Sequence, residues 1–282
     1  MPSLTETILR SAALSRGASA CGFVGAGALA EHGRFLASCA GAPPDLAYLA
    51  RRSPERADIR LWFPEARTVL MCAFSYWDRT GDYAAALAAA GEPLGYLTKA
   101  GHRPKAEFIA AVSKLGLRPR IARYALTEDY HTAVAGRLKL ILEDIRAICP
   151  SVEGRAFVDT APVLEKELGR LAGLGFRGKN TLLVSEEAGS YFFLGGLALS
   201  GEIPVPSPAV AEDGCGSCRR CIDACPTGAL KEHGAMDAGL CISYWNTQSK
   251  TAAPETIISR SGGFVYGCDL CQEVCPYNGG KE

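Results

Sequence analysis

The sequence predicts an α/β (α+β) domain followed by a small cysteine-rich module. Segments with strand and helix patterns alternate as far as about residue 200, which is typical of the mixed fold classes. The run Gly201-Glu-Ile-Pro-Val-Pro-Ser-Pro then interrupts this pattern, and three prolines within five residues predict a stiff linker. Beyond it, eight of the twelve cysteines fall between Cys215 and Cys275. We therefore expect one domain over residues 1–203 and a second over residues 204–282.

The elements of the first domain follow from the spacing of its apolar residues. Apolar side chains three and four positions apart predict helices over residues 4–16, 129–147 and 165–172. Short apolar runs bounded by turn residues predict strands over residues 21–25, 68–75, 156–159, 181–184 and 191–194. Residues 81–104 are rich in Gly, Ala and Pro, and we expect them to form a surface insertion.

Composition excludes several classes of protein. Of the 282 residues, 48% are hydrophobic and 21% are charged, which excludes a disordered chain. The formal net charge is zero, so any RNA contact requires a local basic patch, for which the candidates are Lys114, Arg118, Arg120 and Arg123. The N-terminus has no secretory signal pattern, and no apolar run reaches the ~20 residues of a membrane helix. We therefore expect a cytoplasmic, monomeric protein that does not bind membranes.

The cysteines form two runs with the spacing of an iron–sulfur protein. The first run, Cys215-Gly-Ser-Cys218-Arg-Arg-Cys221-Ile-Asp-Ala-Cys225-Pro, has the C-x2-C-x2-C-x3-C-P pattern of bacterial ferredoxins. The second run, Cys268-Asp-Leu-Cys271-Gln-Glu-Val-Cys275-Pro, repeats the x2 and x3 spacings but lacks one cysteine, which Cys241 can supply. In two-cluster ferredoxins the fourth cysteine of a run ligates the other cluster.

Pseudo-symmetry between the runs then predicts the ligands of two [4Fe–4S] clusters. The first cluster takes Cys215, Cys218, Cys221 and Cys275, and the second takes Cys225, Cys241, Cys268 and Cys271. Zinc is the alternative, because it also binds C-x2-C pairs, but zinc ribbons do not require the x3-C-P spacing. The pattern therefore predicts a ferredoxin-like module that transfers single electrons.

A glycine-rich segment lies before the linker. Gly173-Leu-Gly175-Phe-Arg-Gly178 matches the G-x-G-x-x-G pattern, and Lys179-Asn180 extend it toward a phosphate-binding loop. Both kinds of nucleotide site require a preceding strand, whereas a helix-like segment precedes this loop, and Asn180 replaces the Ser or Thr that holds magnesium. We therefore expect glycines that let the backbone approach something bulky.

Motifs distributed along the chain resemble the epoxyqueuosine reductase family. They run in order from about residue 6 to residue 278 and include Ala122-Arg-Tyr-Ala, Asp129-Tyr-His, Val158-Asp-Thr-Ala-Pro-Val-Leu-Glu, Ala172-Gly-Leu-Gly-Phe-Arg-Gly-Lys-Asn, Cys241-Ile-Ser-Tyr and Tyr266-Gly-Cys-Asp-Leu-Cys-Gln-Glu-Val-Cys-Pro-Tyr-Asn. The resemblance implies a nitroreductase-like cobalamin-binding domain followed by a bacterial ferredoxin-like module, related in its core to reductive dehalogenases. It also implies an oxidoreductase of queuosine biosynthesis, which uses cobalamin and two [4Fe–4S] clusters to convert epoxyqueuosine to queuosine in tRNA.

This implied chemistry makes sense of the residue types. Removing the epoxide oxygen as water takes two electrons and protons, whereas clusters deliver electrons singly, so a two-electron centre must collect them. In the family that centre is base-off cobalamin, and this sequence has no Asp-x-His-x-x-Gly loop to supply a lower histidine ligand. By motif match Asp129 is the proton donor, a role that requires a raised pKa. The alternative is that Asp129 caps the helix that begins there.

The resemblance also implies further cobalamin contacts besides Asp129. They are Arg56, Asp159, Thr160, Lys179, Tyr191, Ser243, Tyr244 and Asp269. His131 is expected to orient the site. Simpler roles are open for several of them: turn hydrogen bonds for Asp159 and Thr160, a solvated charge for Arg56 and a satisfied polar residue for His131.

Departures from the family pattern leave other functions open. Phe176 stands where Trp is expected, Thr127-Glu128 replace Gly-Arg or Gly-Lys, Trp245-Asn-Thr-Gln replace Leu-Thr-Ile-Glu, and residues 81–118 are longer than expected. Family members usually continue into a helical repeat domain that helps to hold tRNA, and we find no such segment before Glu282, which weakens the expectation of a tRNA partner. The alternatives are a paralogue that reduces a small molecule and a non-enzymatic electron-transfer or corrinoid-reducing protein. All three hypotheses need an external one-electron donor of flavodoxin or ferredoxin type.

Overall fold

The computed structural model describes residues 3–78, 81–204 and 213–279. Over these residues the helices are α1 (Glu6–Ser15), α2 (His32–Ala40), α3 (Ser53–Ala57), α4 (Tyr83–Ala90), α5 (Pro93–Lys99), α6 (Ala106–Lys114), α7 (Tyr130–Ile148), α8 (Glu165–Leu171), α9 (Arg220–Asp223), α10 (Glu255–Ser259) and α11 (Leu270–Glu273). The strands are β1 (Ala20–Gly25), β2 (Thr68–Ser75), β3 (Arg120–Ile121), β4 (Gly154–Phe157), β5 (Phe176–Arg177), β6 (Leu183–Val184), β7 (Phe192–Leu199), β8 (Leu230–Lys231), β9 (Ala235–Met236) and β10 (Phe264–Tyr266). No helix in this part of the chain is long and apolar enough to cross a membrane.

A four-stranded antiparallel sheet forms the centre of the first domain, in the order β1–β2–β7–β4. Helices α1 and α7 pack on one face, and α8 packs on the other together with Trp62 and Phe157. Because both faces are covered, seven of the eight residues of β2 are buried, which explains its unbroken apolar run. The mixed α/β (α+β) class predicted from the sequence is confirmed, and the antiparallel pairing makes the sheet of the α+β kind.

Helix α7 carries the first functional motif at its N-terminus. Its apolar stripe (Val134, Leu138, Ile141, Leu142 and Ile145) is buried against the sheet, which is the face that the sequence periodicity predicted. Helix α1 runs beside it, and an ion pair between Arg16 Nε and Asp144 Oδ2, at 2.6 Å, joins the two helices. The start of α7 is therefore fixed by the main core.

Residues 81–104 lie largely at the surface, as expected, with Leu97 as the buried exception. They form α4 and α5, and Leu97 is fully buried in a third apolar cluster with Ile121 and Val265. Side-chain caps begin both helices, since Asp82 accepts a hydrogen bond from the Ala85 N–H and Glu92 accepts from two N–H groups of α5. Alanine has a high intrinsic helix propensity, so the alanine-rich composition favours helix here.

The cysteine-rich segment is bound closely to the first domain. Strand β10 pairs in parallel with β3, and a buried network joins Ser190 to Gln272 and Asn278. The division at residue 203 stays a prediction, and the proline-rich linker predicted at 201–208 lies partly outside the described residues.

A buried ion pair strengthens this contact. The Arg123 guanidinium lies between Asp269 and Glu273, with Nη1 at 3.3 Å from Asp269 Oδ2 and 2.9 Å from Glu273 Oε1. Arg120 also binds Glu273. Two of the four arginines and lysines predicted as a basic RNA-binding patch are therefore committed to internal ion pairs, whereas Lys114 and Arg118 are exposed.

We expect the Arg123→Ala substitution to lower the free energy of unfolding by about 3–5 kcal/mol, because it leaves a buried carboxylate without its counter-charge. Asp269 is only 1% exposed, so water cannot replace the lost partner. The measurement is the Tm of the cluster-loaded protein under anaerobic conditions. Arg118→Ala is the matched control on an exposed arginine, and an equal Tm for the two variants would contradict a structural role for the pair.

Candidate cluster sites and active site

The four cysteines predicted for the first cluster line one cavity of about 220 Å³. Cys215 and Cys218 come from the loop that leads into α9, Cys221 lies in α9, and Cys275 comes from the segment that follows α11. Burial and the neighbouring thiols Cys215, Cys275 and Cys218 raise the pKa of Cys221 to about 11. A bound cation would offset this unfavourable ionisation, because it stabilises the thiolate form that metal ligation requires. The donor set and its shared cavity therefore fit an iron–sulfur cluster.

The glycine-rich segment 173–178 packs close to this cavity. Gly175 has a φ of +152°, and a Cβ placed there would lie 2.2 Å from the Val184 carbonyl oxygen, so only glycine fits. The backbone N–H of Lys179 points to Cys215 Sγ at 3.4 Å, and its Nζ donates to the carbonyls of Gly216 and Cys218. Lys179, predicted as a cobalamin contact, therefore contacts the cysteine loop of the first cluster.

The second predicted ligand set is more deeply enclosed. Burial raises the pKa of Cys268, and the thiols of Cys241 and Cys225 raise it further. Cys271 is affected in the same direction by burial and by Cys268 and Cys241. Electrostatic effects thus link Cys268 with Cys225 and Cys241, and Cys271 with Cys268 and Cys241. The crossed assignment of ligands stays a prediction.

Among the described residues, no three His, Cys, Asp or Glu side chains are arranged to hold a single metal ion. Around one zinc ion the four sulfurs would lie roughly 3.8 Å apart, given Zn–S bonds of about 2.3 Å. A cube holds one cysteine on each of four irons and so spreads its ligands more widely. The arrangement found here therefore does not conflict with two cubes. All twelve cysteines are free of disulfide bonds.

Asp129, His131 and Asp159 form a hydrogen-bonded chain at the N-terminus of α7. Asp129 caps the helix by accepting the backbone N–H of His131 at 3.0 Å, so the simpler role weighed from sequence is present. The same oxygen, Oδ1, lies 2.8 Å from His131 Nδ1, and His131 Nε2 lies 3.1 Å from Asp159 Oδ2. One imidazole thus bridges two motif carboxylates that are 30 residues apart in sequence.

The pKa of Asp129 is lowered in the chain alone. Burial raises it, but the hydrogen bonds from His131 outweigh burial and lower it. The raised pKa expected for a proton donor depends on burial beside the corrin and stays a prediction. The Asp129 side chain is 34% exposed, so desolvation is incomplete. For His131, burial lowers the pKa, and the hydrogen bonds with Asp129 and Asp159 reverse the effect and raise it. The pair therefore carries its proton on the imidazole.

Asp159 and its neighbours form a polar corner beside this chain. Asp159 has a φ of +49°, an uncommon conformation for a residue with a side chain, and its N–H donates to Glu165 Oε1. Thr160 is exposed next to it. Arg56 lies near Glu165, and its Nε is buried without a hydrogen-bond partner among the described residues. An unsatisfied guanidinium nitrogen and a strained, exposed aspartate fit a ligand-binding corner.

The other predicted cofactor contacts lie elsewhere. Tyr191 is 4% exposed and Asp269 1% exposed, and both pack around the Arg123 guanidinium. Asp269 is occupied by Arg123 and Gln272, so it is not free to contact a ligand directly. The Tyr244 hydroxyl donates to Asp45 Oδ2, and Ser243 precedes it at the start of a π-helical turn, Tyr244–Gln248. The structure therefore brings Arg56, Asp129, Asp159 and Thr160 toward one site. Tyr191, Asp269 and Tyr244 are instead held in internal contacts, and Ser243 adjoins Tyr244.

Two residues of the site were missed from sequence. Burial and the Asp159 carboxylate raise the pKa of Glu165 to about 8. Lys166 is exposed, yet burial and Arg177 lower its pKa, and the Cys271 thiol also affects it. The Lys166 Nζ donates to the Thr181 carbonyl at 3.1 Å. Glu165 is the last residue of the Val158–Glu165 motif, and this motif could have identified it from sequence. No sequence motif pointed to Lys166.

The fold and its two cysteine constellations define a mixed α/β domain joined to a 4Fe–4S double-cluster module. Residues 56–160 match the family model "Epoxyqueuosine reductase QueG, DUF1730", and residues 214–278 match "4Fe-4S double cluster binding domain". The resemblance to the epoxyqueuosine reductase family that the motifs predicted is therefore confirmed over these residues.

Individual relatives agree with this assignment. The epoxyqueuosine reductase of Salmonella typhimurium is 46% identical over 158 residues, which cover 56% of this chain and 41% of the relative. That of Pseudomonas aeruginosa is 47% identical over 158 residues, covering 56% and 44%. The chain thus spans less than half the length of these curated relatives in the matched region.

Solved structures extend the similarity to nearly the whole chain. Epoxyqueuosine reductase from Streptococcus thermophilus has a TM-score of 0.74 and 27% identity, over 98% of this chain and 67% of that chain. An epoxyqueuosine reductase solved with an epoxyqueuosine-modified tRNA-Tyr stem loop has a TM-score of 0.75, 27% identity and coverage of 98% and 66%. A catabolic reductive dehalogenase, 14% identical with a TM-score of 0.51, shares the fold over 97% of this chain and 31% of that one.

Proposed function

We propose that this chain is a cobalamin- and iron–sulfur-dependent reductase that converts epoxyqueuosine to queuosine in tRNA. Its family relatives carry that activity in their names, and one relative was solved with a modified tRNA stem loop. One observation of this chain carries the proposal: the Lys166 amine is affected electrostatically both by Asp159 of the acid chain and by Cys271 of the second cysteine set.

Two contacts link the acid chain to the cysteines. Six residues before Asp129, the backbone N–H of Arg123 donates to Asp269, which adjoins Cys268. The Lys166 amine is affected electrostatically by both Asp159 and Cys271. These links support a reaction in which a proton donor and an electron-delivery module act together, as reductive removal of an oxygen atom requires.

We expect a corrinoid to bind beside the corner formed by Arg56, Asp159 and Thr160. Arg56, with its unsatisfied Nε, and the exposed pair Asp159 and Thr160 would hold polar groups of the cofactor, while the second cluster would lie on the side of Cys268 and Cys271. When bound, cobalamin supplies a two-electron centre that collects electrons arriving singly. The fold is shared with a reductive dehalogenase whose structure suggests a mechanism for B12-dependent dehalogenation.

The protein's own residues have separate tasks in the proposed reaction. Cys215 to Cys275 hold the clusters that pass electrons inward from an external flavodoxin- or ferredoxin-type donor. Asp129 delivers a proton to the departing oxygen. Arg123 with Asp269 fixes the second cysteine run against the first domain. We further propose a cytoplasmic monomer, in keeping with a tRNA substrate.

The test is conversion of the tRNA itself. Anaerobically prepared protein, loaded with iron, sulfide and cobalamin and reduced chemically, is mixed with epoxyqueuosine-containing tRNA, and the nucleosides are separated by mass. Queuosine formation that depends on added cobalamin supports the proposal. Loaded protein that leaves epoxyqueuosine unchanged contradicts it and favours a small-molecule substrate or an electron carrier.

A basic segment beside Asp129 offers a tRNA contact. Gly101 lies against Asp129, since a Cβ placed there would be 3.5 Å from the Asp129 Cβ, and Lys99 and Arg103 on either side are exposed. We expect the Lys99→Ala/Arg103→Ala variant to bind tRNA more weakly, with the salt dependence of log K reduced by roughly 1–2, because two phosphate contacts are lost. Gel shifts over a salt series measure this. The control is Lys139→Ala, an exposed lysine on α7; equal slopes for both variants would contradict the contact.

A further inference from the structure

We propose that His131 is the proton reservoir of the reductase, held between Asp129 and Asp159 so that it supplies the proton that Asp129 passes on. The inference rests on the proposed function and deepens it, by giving a proton-storing role to a histidine that was expected only to orient the site. It would make His131 a positioning and proton-storing residue that acts through Asp129.

Geometry carries the proposal. His131 Nδ1 lies 2.8 Å from Asp129 Oδ1 and Nε2 lies 3.1 Å from Asp159 Oδ2, so an imidazolium can donate to a carboxylate from each nitrogen at once. A neutral ring can donate from only one nitrogen, and the other would face a carboxylate without a proton between them. The arrangement therefore selects the protonated ring. The His131 side chain is 42% exposed, so solvent can reload it.

The groups that face His131 act in the same direction with one exception. On its own helix the ring lies against Tyr130 at a tilt of 31°, with centroids 4.1 Å apart, and Asp129 precedes it. From the turn before α8 comes Asp159. The exception is His102, from the segment between α5 and α6, which is coupled electrostatically to Asp129 and His131; burial lowers the pKa of His102, so that ring is neutral near pH 7.

Three further charged residues, Glu165, Arg56 and Lys166, lie beyond Asp159. Glu165 accepts the Asp159 N–H, and its raised pKa of about 8 means that it adds only part of a negative charge near neutral pH. Arg56 and Lys166 both favour the ionised form of Glu165. Their combined effect on His131 is small compared with the two carboxylates that touch it. His131 is therefore expected to titrate above its ordinary pKa, the direction that the hydrogen bonds impose.

The proton path follows from these positions. At rest Asp129 is a carboxylate and His131 an imidazolium. Substrate that covers the site removes water from Asp129 and raises its proton affinity, so the Nδ1–H bond breaks and an O–H bond forms on Asp129. Asp129 then gives this proton to the departing oxygen, and the pair changes from net zero to net −1. The ring keeps its Nε2 proton on Asp159, and water restores the Nδ1 proton afterwards. No electron moves in this relay, which supplies one of the two protons consumed.

The first test does not involve the reaction. The chain has four histidines, so NMR of protein carrying labelled histidine, with clusters but without cobalamin, gives four titrating ring signals, and His131→Gln identifies one of them. The expected result is a His131 midpoint above the ordinary 6.5, shifted downward in Asp129→Asn and again in Asp159→Asn. A His131 midpoint at or below 6.5, or one unmoved in both variants, overturns the proposal.

The second test uses the pH profile of turnover. In the wild type kcat should fall as pH rises through the His131 pKa, because the reservoir empties. His131→Gln should lower kcat about 10²-fold with little change in KM and remove this alkaline limb. The control, His233→Asn, alters a histidine in a surface turn with φ of +58° that asparagine tolerates, and should keep the wild-type profile. A wild-type limb in His131→Gln overturns the proposal. Wild-type protein that converts no substrate overturns the proposed function instead, and the NMR titration then decides on the reservoir alone.

Discussion

Protein carrying the Cys271→Ala substitution is expected to retain about four of its roughly eight irons and to lose reductase activity. Cys271 lies at the start of α11, and its thiol is affected by those of Cys268 and Cys241. Removing one ligand should release the second cluster and leave the first, whose four cysteines line a separate cavity. Iron and sulfide counts on anaerobically reconstituted protein measure the loss.

Two further variants check the crossed assignment of ligands. Cys275→Ala should also halve the iron content. Because it releases the first cluster and leaves the second, its remaining cluster should differ in its spectrum from the one that remains in Cys271→Ala. Cys39→Ala, on α2, should keep all of the iron, because Cys39 belongs to neither set. If Cys271→Ala and Cys275→Ala left the same residual cluster, the two-set assignment would be refuted.

The Asp129→Asn substitution is expected to lower kcat by about 10²–10⁴-fold while iron and cobalamin contents stay unchanged. Asparagine keeps an oxygen that can accept the His131 N–H, so helix α7 should remain capped. What is lost is the group that accepts a proton from His131 and passes it on. Single-turnover conversion of modified tRNA measures the chemical step separately from product release.

The neighbouring Glu128→Gln variant is the matched control. Glu128 is exposed, and its substitution by Gln removes one negative charge from the same segment without changing the contacts of His131. A loss of rate in Glu128→Gln equal to that in Asp129→Asn would indicate a general charge effect. Such a result would remove Asp129 from the mechanism and leave only its role as a helix cap.

Features encoded in local sequence were predictable. Helix α7 was recognised because its apolar stripe recurs with helical spacing and an aspartate stands at the N-cap position. The cysteine sets were recognised because ligand spacing in ferredoxins is a local property of the chain. The close backbone approach at Gly175 followed from a glycine-rich segment, although its partner, the β6 backbone at Val184, could not be named in advance.

Features that depend on distant partners were not predictable. Arg123 was expected to be a free basic residue. Its ion pair with Asp269 could not be foreseen, because the two residues are 146 positions apart in sequence. Lys179 was expected at the cobalamin site, whereas the folded chain directs its amine to the Cys218 carbonyl. The lowered pKa of Asp129 was not predictable for the same reason, since His131 becomes its hydrogen-bond partner only once the helix forms.

The most direct test of the account is a metal count with a visible spectrum, on protein purified without oxygen, loaded with clusters and mixed with cobalamin. The account predicts about eight irons and one tightly held cobalt per chain, with the absorption bands of base-off cobalamin. Arg56→Ala should weaken the cobalt uptake without changing the iron count, because Arg56 has the unsatisfied nitrogen of the proposed corner. Eight irons with no cobalt retained would contradict the account and leave an electron-transfer protein.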